Sequence, residues 1–125
     1  MATAYVTTPI LRIKRSTQSG EKVMTAAYSV VYETSSPYAY LFASAEIDLS
    51  NMQAGDVVDI RVRKKVEENG SYIVHDERTY SGVQPSSRKS IKIGPLVDVY
   101  GVEIAMRQTA GAFRTFYCEF FDAKR

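Results

Sequence analysis

The chain has one cysteine, one histidine and no tryptophan among its 125 residues. A single cysteine cannot form an internal disulfide, so the fold depends on its hydrophobic core alone. Zinc sites use several cysteine and histidine ligands. Calcium sites use clustered oxygen ligands, and the acidic residues of this chain are scattered. We therefore expect no metal site and no cofactor.

Motifs of enzymatic catalysis are also missing. The sequence contains no G-x-S-x-G elbow and no glycine-rich phosphate-binding loop. His75 and Asp76 are neighbours in a predicted strand, so their side chains point to opposite faces. Cys118 lies in the apolar run FYCEFF, where a buried, unreactive thiol is expected. We predict that the chain is not an enzyme and has no catalytic residue.

Neither an excess of charge nor a long apolar run is present. The 16 Lys and Arg residues and 14 Asp and Glu residues give a formal net charge of +2, which is too small to favour nucleic-acid binding by bulk electrostatics. No apolar run approaches the ~20 residues that cross a bilayer, and the first residues do not resemble a secretory signal. We expect no membrane contact and a protein that stays in the cytoplasm or enters a larger assembly.

Short alternating segments separated by turn residues dominate the rest of the sequence. The clearest segment places Val58, Ile60 and Val62 on one strand face. The Asn69-Gly70 pair that follows predicts a tight hairpin. Strands are predicted at 10–15, 22–33, 38–49, 57–66, 72–81, 90–93, 96–108 and 112–122. We predict an extended N-terminal arm at residues 1–9 and a single all-β domain at residues 10–125.

About eight antiparallel strands joined by short turns are typical of a β-sandwich of the jelly-roll kind. A small closed barrel would give a similar pattern and remains the alternative at this point.

Aromatic residues are the unusual part of the composition, with nine Tyr and five Phe. Two predicted strands carry large side chains on both faces, which indicates a face covered by another subunit. Tyrosine suits such contacts because it combines a large apolar area with one polar atom. The predicted interface residues are Tyr38, Tyr40, Phe42, Phe113, Tyr117 and Phe121.

Basic residues offer a second hypothesis. Arg61, Arg63 and Lys65 alternate along one strand face, and Arg88 and Lys89 follow in a later loop. With tyrosines nearby, they could form a platform for single-stranded nucleic acid. Stacked tyrosines could instead bind carbohydrate, although the absence of tryptophan weakens that version. A solvent-exposed face of mixed charge explains the same residues more simply, because several acidic residues lie close by.

Two stretches resemble a known class of protein. The first is Ile47-Asp48-Leu49-Ser50, followed by Gly55-Asp56 and a long charged hairpin. The second contains Val102, Ile104, the run QTAG at 108–111, Phe113 and Phe116. Together they span about residues 45–121 and resemble small β-sandwich virion proteins encoded in phage and archaeal-virus-like gene clusters.

That resemblance implies a structural role as a capsid, decoration or tail-associated subunit. Its partners would be other protein subunits, in a homo-oligomer or a capsid lattice. Its location would be the virion, or the host cytoplasm before assembly. The resemblance implies no catalytic residues.

Overall fold

A computed structural model describes residues 12–34, 39–98 and 100–124. The predicted N-terminal arm at 1–9 lies outside these residues. The described chain is all-β, without a helix. Its ten strands are β1 (Arg12–Arg15), β2 (Gly20–Val23), β3 (Ser29–Glu33), β4 (Ala39–Asp48), β5 (Val57–Lys64), β6 (Ile73–Ser81), β7 (Ser90–Ile93), β8 (Leu96–Val97), β9 (Val102–Ala110) and β10 (Thr115–Lys124).

The strands form two antiparallel sheets. The six-stranded sheet has the order β1-β10-β4-β7, with β2 also paired to β10 and β8 also paired to β4. The four-stranded sheet has the order β3-β9-β5-β6. Apolar side chains from the two inner faces meet in one core cluster. The arrangement is the predicted sandwich and not a closed barrel.

The pairing pattern is that of a jelly roll. Because β1 and β2 share the partner β10, and β7 and β8 share the partner β4, the ten strands occupy eight positions. The first position pairs with the last, and pairing continues inward through β3 with β9, β4 with β7, and β5 with β6. Pairs between β10 and β4 and between β9 and β5 roll this ribbon into two sheets. The predicted fold class is confirmed.

The predicted strand at 22–33 is two strands that belong to different sheets. Between β2 and β3 the chain crosses the sandwich, and backbone hydrogen bonds to other segments fix the crossing. Met24 N donates to Arg114 O at 2.9 Å, and Gln108 N donates to Thr25 O at 2.9 Å. These bonds come from residues more than eighty positions away, so local alternation could not reveal the break.

The alternation predicted for β5 is confirmed. Val58, Ile60 and Val62 are at most 2% exposed and face the core. The ring of Tyr32, on β3 of the same sheet, packs against Phe42 and Phe120 of the opposing sheet with centroid distances of 5.0 Å and 5.2 Å. These aromatic rings fill the space between the sheets and hold them together.

Phe42 is therefore a core residue, and its predicted place at an interface is wrong. Along β10 the register passes from Phe121 opposite Ser44 to Asp122 opposite Phe42. Ala43 is thus an extra residue, a β-bulge that reverses the alternation of β4. The bulge turns the Phe42 side chain inward, where it is fully buried.

The turn between β5 and β6 also differs from the predicted tight hairpin. The strands end at Lys64 and resume at Ile73, so the connection spans 65–72. The positive φ of 58° belongs to Asn69 and not to Gly70. A β-carbon at Gly70 would lie 2.7 Å from Glu67 Cγ, so the exposed Glu67 side chain would have to shift to accommodate it.

Candidate functional site

Strand β10 has large side chains on both faces, as predicted. Phe116, Cys118 and Phe120 point inward and are fully buried. Tyr117 points outward and is 44% exposed, and Phe121 on the same side is half-buried. This strand therefore contributes to the core and to the outer surface of the six-stranded sheet.

The strands beside β10 extend this apolar surface. Val23 of β2 is 68% exposed. It lies two residues after Glu21, which pairs with Tyr117, and therefore on the same side of the strand. Ile13 of β1 pairs with Ala123, two pairs beyond Phe121, and is 69% exposed. We call the surface formed by Ile13, Val23, Tyr117 and Phe121 the Tyr117 face.

A small polar cluster fixes the central ring of the Tyr117 face. Tyr117 Oη donates to Glu119 Oε1 at 2.7 Å, and Arg15 Nε donates to Glu119 Oε2 at 2.7 Å. The hydrogen bonds from Arg15 and Tyr117 lower the pKa of Glu119 below its ordinary value. The tyrosine is thereby held with its ring on the sheet surface, although all three groups are accessible to solvent.

The other predicted interface residues have different positions. Phe113 is 58% exposed, but it lies in the turn before β10 and not in a strand. Tyr38 and the side chain of Tyr40 lie outside the described residues. The structure thus brings Tyr117 and Phe121 together and places Phe42 on the other side of the sheet.

Paired charges lie on the two central strands, β5 and β9, on the outer face of the four-stranded sheet. Asp59 Oδ2 accepts a hydrogen bond from Arg107 Nε at 2.7 Å, and its other oxygen accepts one from Thr79 Oγ1 at 2.7 Å. Arg63 Nη2 lies 2.6 Å from Glu103 Oε1, and Arg61 Nη2 lies 3.8 Å from the same oxygen. Asp59 and Glu103 are 6% and 5% exposed, so both acidic groups are buried beneath the arginines.

Two tyrosines cross this face in opposite directions. Tyr28, just before β3, reaches over the sheet and donates to Glu77 of β6 at 2.6 Å. Tyr72, just before β6, reaches back and donates to Glu33 of β3 at 3.2 Å. Partial burial is the main reason that the pKa of each phenol is raised to about 12.

Arginine and lysine side chains stack on these two rings. The Arg61 and Arg107 guanidinium carbons lie 4.1 Å and 4.4 Å from the Tyr28 ring centroid. Lys65 Nζ lies 4.8 Å from the Tyr72 ring centroid. The tyrosine faces that would stack on nucleic-acid bases are therefore in contact with cations of the chain itself.

The five basic residues of the nucleic-acid hypothesis do not share one surface. Arg61, Arg63 and Lys65 belong to the four-stranded sheet and its adjoining loop. Arg88 and Lys89 are exposed in the loop before β7, at the edge of the six-stranded sheet. Arg61 and Arg63 both direct their charge towards Glu103. The result is two separate basic regions, and in the larger one Arg61 and Arg63 share Glu103 as their ion-pair partner.

A surface that the sequence did not indicate lies where β5 ends and β8 and β9 meet. A cleft of about 230 Å³ there is lined by Lys64, Lys65, Val66, Val97 and Tyr100. The three apolar members are 65%, 60% and 46% exposed, respectively. We call these five residues, with Glu67 and Glu68 of the adjoining turn, the hairpin end.

A buried carboxyl group lies next to the hairpin end. Asp98, between two residues of the cleft region, is 1% exposed, and its Oδ2 accepts a hydrogen bond from Thr34 Oγ1. Its Oδ1 has no hydrogen-bond partner among the described residues. Burial raises the pKa of Asp98 above its ordinary value, although Thr34 and Lys64 act in the opposite direction.

His75 and Cys118 occupy separate environments. Cys118 Sγ is buried 3.9 Å from Met106 Sδ, and burial raises the pKa of its thiol to about 12. His75 is exposed on β6, at a bulge beside a shallow cleft that also contains Asp76 and Arg78. The fold does not bring the two residues together. Within the described parts of the chain, no three His, Cys, Asp or Glu residues group closely enough to hold a metal ion.

Comparison with known proteins adds no relative. No family model matches the chain, and neither a curated protein nor a solved structure matches it. Across residues 12–34, 39–98 and 100–124, no helix is long and apolar enough to cross a membrane.

Proposed function

We propose that this domain is a non-enzymatic structural subunit that acts by packing against other protein subunits, in an assembly of the virion type. The observation that carries the proposal is the Tyr117 face. Its four side chains lie on the outer side of a sheet whose inner side already supplies the core. The outer face of the other sheet has ion pairs across its central strands, and Val30 and Val74 are exposed on its edge strands.

The Tyr117 face covers part of the area of a protein interface. Strand β10 has ten residues, so it is about 33 Å long, and the two strand positions that carry the four side chains are about 10 Å wide. The resulting area of roughly 300 Å² is less than half of the ~800 Å² that each partner contributes to a standard interface, so neighbouring surface of the sheet would complete the contact. Fully burying an exposed aliphatic or aromatic side chain contributes about 1.5–3 kcal/mol. Covering this face would therefore be favourable.

The jelly-roll topology agrees with this role without deciding it. Viral capsid domains use this architecture, but so do lectins and cupins. The resemblance of residues 45–121 to small virion proteins points to the first of these uses. Capsid, decoration and tail-associated subunits all share the property proposed here, an exposed face that is buried by neighbouring copies.

The test is the association of variants of the Tyr117 face. Val23→Glu together with Tyr117→Glu introduces charge into the proposed contact and should abolish association through it, as measured by light scattering at several concentrations. Val30→Glu together with Val74→Glu makes the same change on the other sheet, where the two valines are 51% and 56% exposed, and should leave association unchanged. Equal behaviour of the two variants would count against the proposal.

The alternative function is binding of single-stranded nucleic acid or carbohydrate. The ion pairs of Arg61 and Arg63 with Glu103 leave it less well supported than subunit packing. An oligonucleotide titration in low salt separates the two functions, because phosphate contacts weaken steeply as salt rises. Tight, salt-sensitive binding that Arg61→Ala removes would favour the alternative. We expect no binding under these conditions.

A further inference from the structure

The hairpin end presents charges of both signs side by side. Lys64 and Lys65 lie just before Val66, and Glu67 and Glu68 lie just after it. No salt bridge joins any of these four charged groups to another described residue. Elsewhere in the fold, Arg63, Arg107 and several other arginines are paired with carboxylates. The hairpin end therefore has charges available for a partner.

The cleft beside these charges is apolar and open. Its lining consists of Val66, Val97 and Tyr100 together with the two lysines. Lys65 N donates to Gly101 O at 3.0 Å, which ties the β5–β6 turn to the segment that carries Tyr100. The two halves of the surface are thus held together by the backbone.

The hairpin end also carries side chains of the kind that its own cleft would bind. The cleft offers lysine amines beside an apolar wall, so it is complementary to an apolar side chain that is followed by carboxylates. Val66, Glu67 and Glu68 have that chemistry, and all three are exposed. A two-fold interface requires a surface that complements itself in this way, because any contact of one residue with a second residue of the partner is repeated with the two copies exchanged.

We propose that the hairpin end is a two-fold contact between two copies of this chain. In this contact Glu67 and Glu68 of each copy face Lys64 and Lys65 of the other, and each Val66 enters the opposite cleft. None of these residues belongs to the Tyr117 face. A two-fold contact alone closes at two chains, whereas two different contacts extend an assembly further.

The test uses charge reversal in a chain whose Tyr117 face is already blocked by Val23→Glu and Tyr117→Glu. In this background the contact should give a particle of two chains, each of 14.0 kDa, by sedimentation velocity. Lys64→Gln with Lys65→Glu should weaken self-association by about tenfold in low salt, since like charges then face each other. Glu67→Lys with Glu68→Lys should do the same. An equimolar mixture of the two variants should restore the two-chain particle, because their charges are complementary.

Matched controls separate this contact from general effects of charge and from the Tyr117 face. Arg88→Gln with Lys89→Glu makes the same change of charge outside the hairpin end and should leave self-association unchanged. Melting temperatures verify that each variant is folded. A single-chain particle in the blocked background, or a mixture that does not restore pairing, would overturn the two-fold contact. Neither result bears on the Tyr117 face, which is tested in the chain with an unmodified hairpin end.

Discussion

Gly111 lies directly against Asp56: a β-carbon on Gly111 would be 1.9 Å from Asp56 Oδ1 and 3.0 Å from its Cα. The carboxylate accepts hydrogen bonds from Arg114 Nε and Gln53 N, both at 2.8 Å. The bond from Arg114 is the main reason that the pKa of Asp56 is below its ordinary value. The β9–β10 turn thus approaches the loop before β5 so closely that only glycine fits.

Gly111→Ala should therefore be strongly destabilising. The matched control is Gly55→Ala, because the two glycines have φ values of +85° and +88°, and a β-carbon at Gly55 meets nothing within 4 Å. We expect Gly55→Ala to cost about 1–2 kcal/mol, which is the conformational strain alone. Gly111→Ala should cost more, since Asp56 must also move. Chemical denaturation measures the free energy of unfolding of both variants. Equal losses of stability would contradict the close contact between Gly111 and Asp56.

Ile60→Asp should unfold the domain. Ile60 is 1% exposed, and a carboxylate there would have no charged partner, at a cost above about 4 kcal/mol of the ~5–15 kcal/mol that stabilise typical domains. Val30→Asp makes a comparable change at an exposed position and should cost less than about 1 kcal/mol. Circular dichroism melting curves report both. A folded Ile60→Asp variant with an unchanged melting temperature would mean that this face does not form the core.

Asp98→Asn should stabilise the domain at neutral pH. Because burial raises the pKa of Asp98 in the folded state, the folded protein holds its proton to a higher pH than the unfolded chain does. The resulting stability is present in full below the unfolded pKa and is lost as pH rises through the folded pKa. Asparagine keeps an oxygen that can accept from Thr34 and carries no charge. Melting temperatures from about pH 3 to pH 7 should fall less steeply in the variant. If melting temperature changes with pH equally steeply in the variant and in the unmodified chain, Asp98 is not the group that causes this pH dependence.

The existence of the strands and the inward or outward orientation of the β5 side chains could be predicted, because both depend on the local alternation of apolar and polar residues. From Val58 to Arg63 the inward residues of β5 are apolar and the outward residues are charged, so the pattern alone gives the orientation. The orientation of Phe42 could not be predicted in this way. It depends on one extra residue, Ala43, relative to the partner strand, and sequence alternation does not reveal cross-strand register.

The Tyr117 face and the hairpin end also differed in whether they could be predicted from the sequence. Tyr117 and Phe121 were predictable because they alternate with buried residues in one strand. The hairpin end was not, because Val66, Val97 and Tyr100 come from segments about thirty residues apart and meet only when the two sheets close. The ion pairing of Arg61 and Arg63 likewise required the position of Glu103 on the neighbouring strand.

The most direct test of subunit packing is hydroxyl-radical footprinting of the unmodified chain at low and high concentration, read by mass spectrometry. Tyr117 and Tyr100 have nearly equal exposures of 44% and 46%, and they report on the Tyr117 face and the hairpin end, respectively. We predict that oxidation of Tyr117 and Phe121 falls as the chain associates, while oxidation of Tyr28 on the other sheet stays constant. Unchanged oxidation of Tyr117 at every concentration would contradict the proposal that this face packs against other copies.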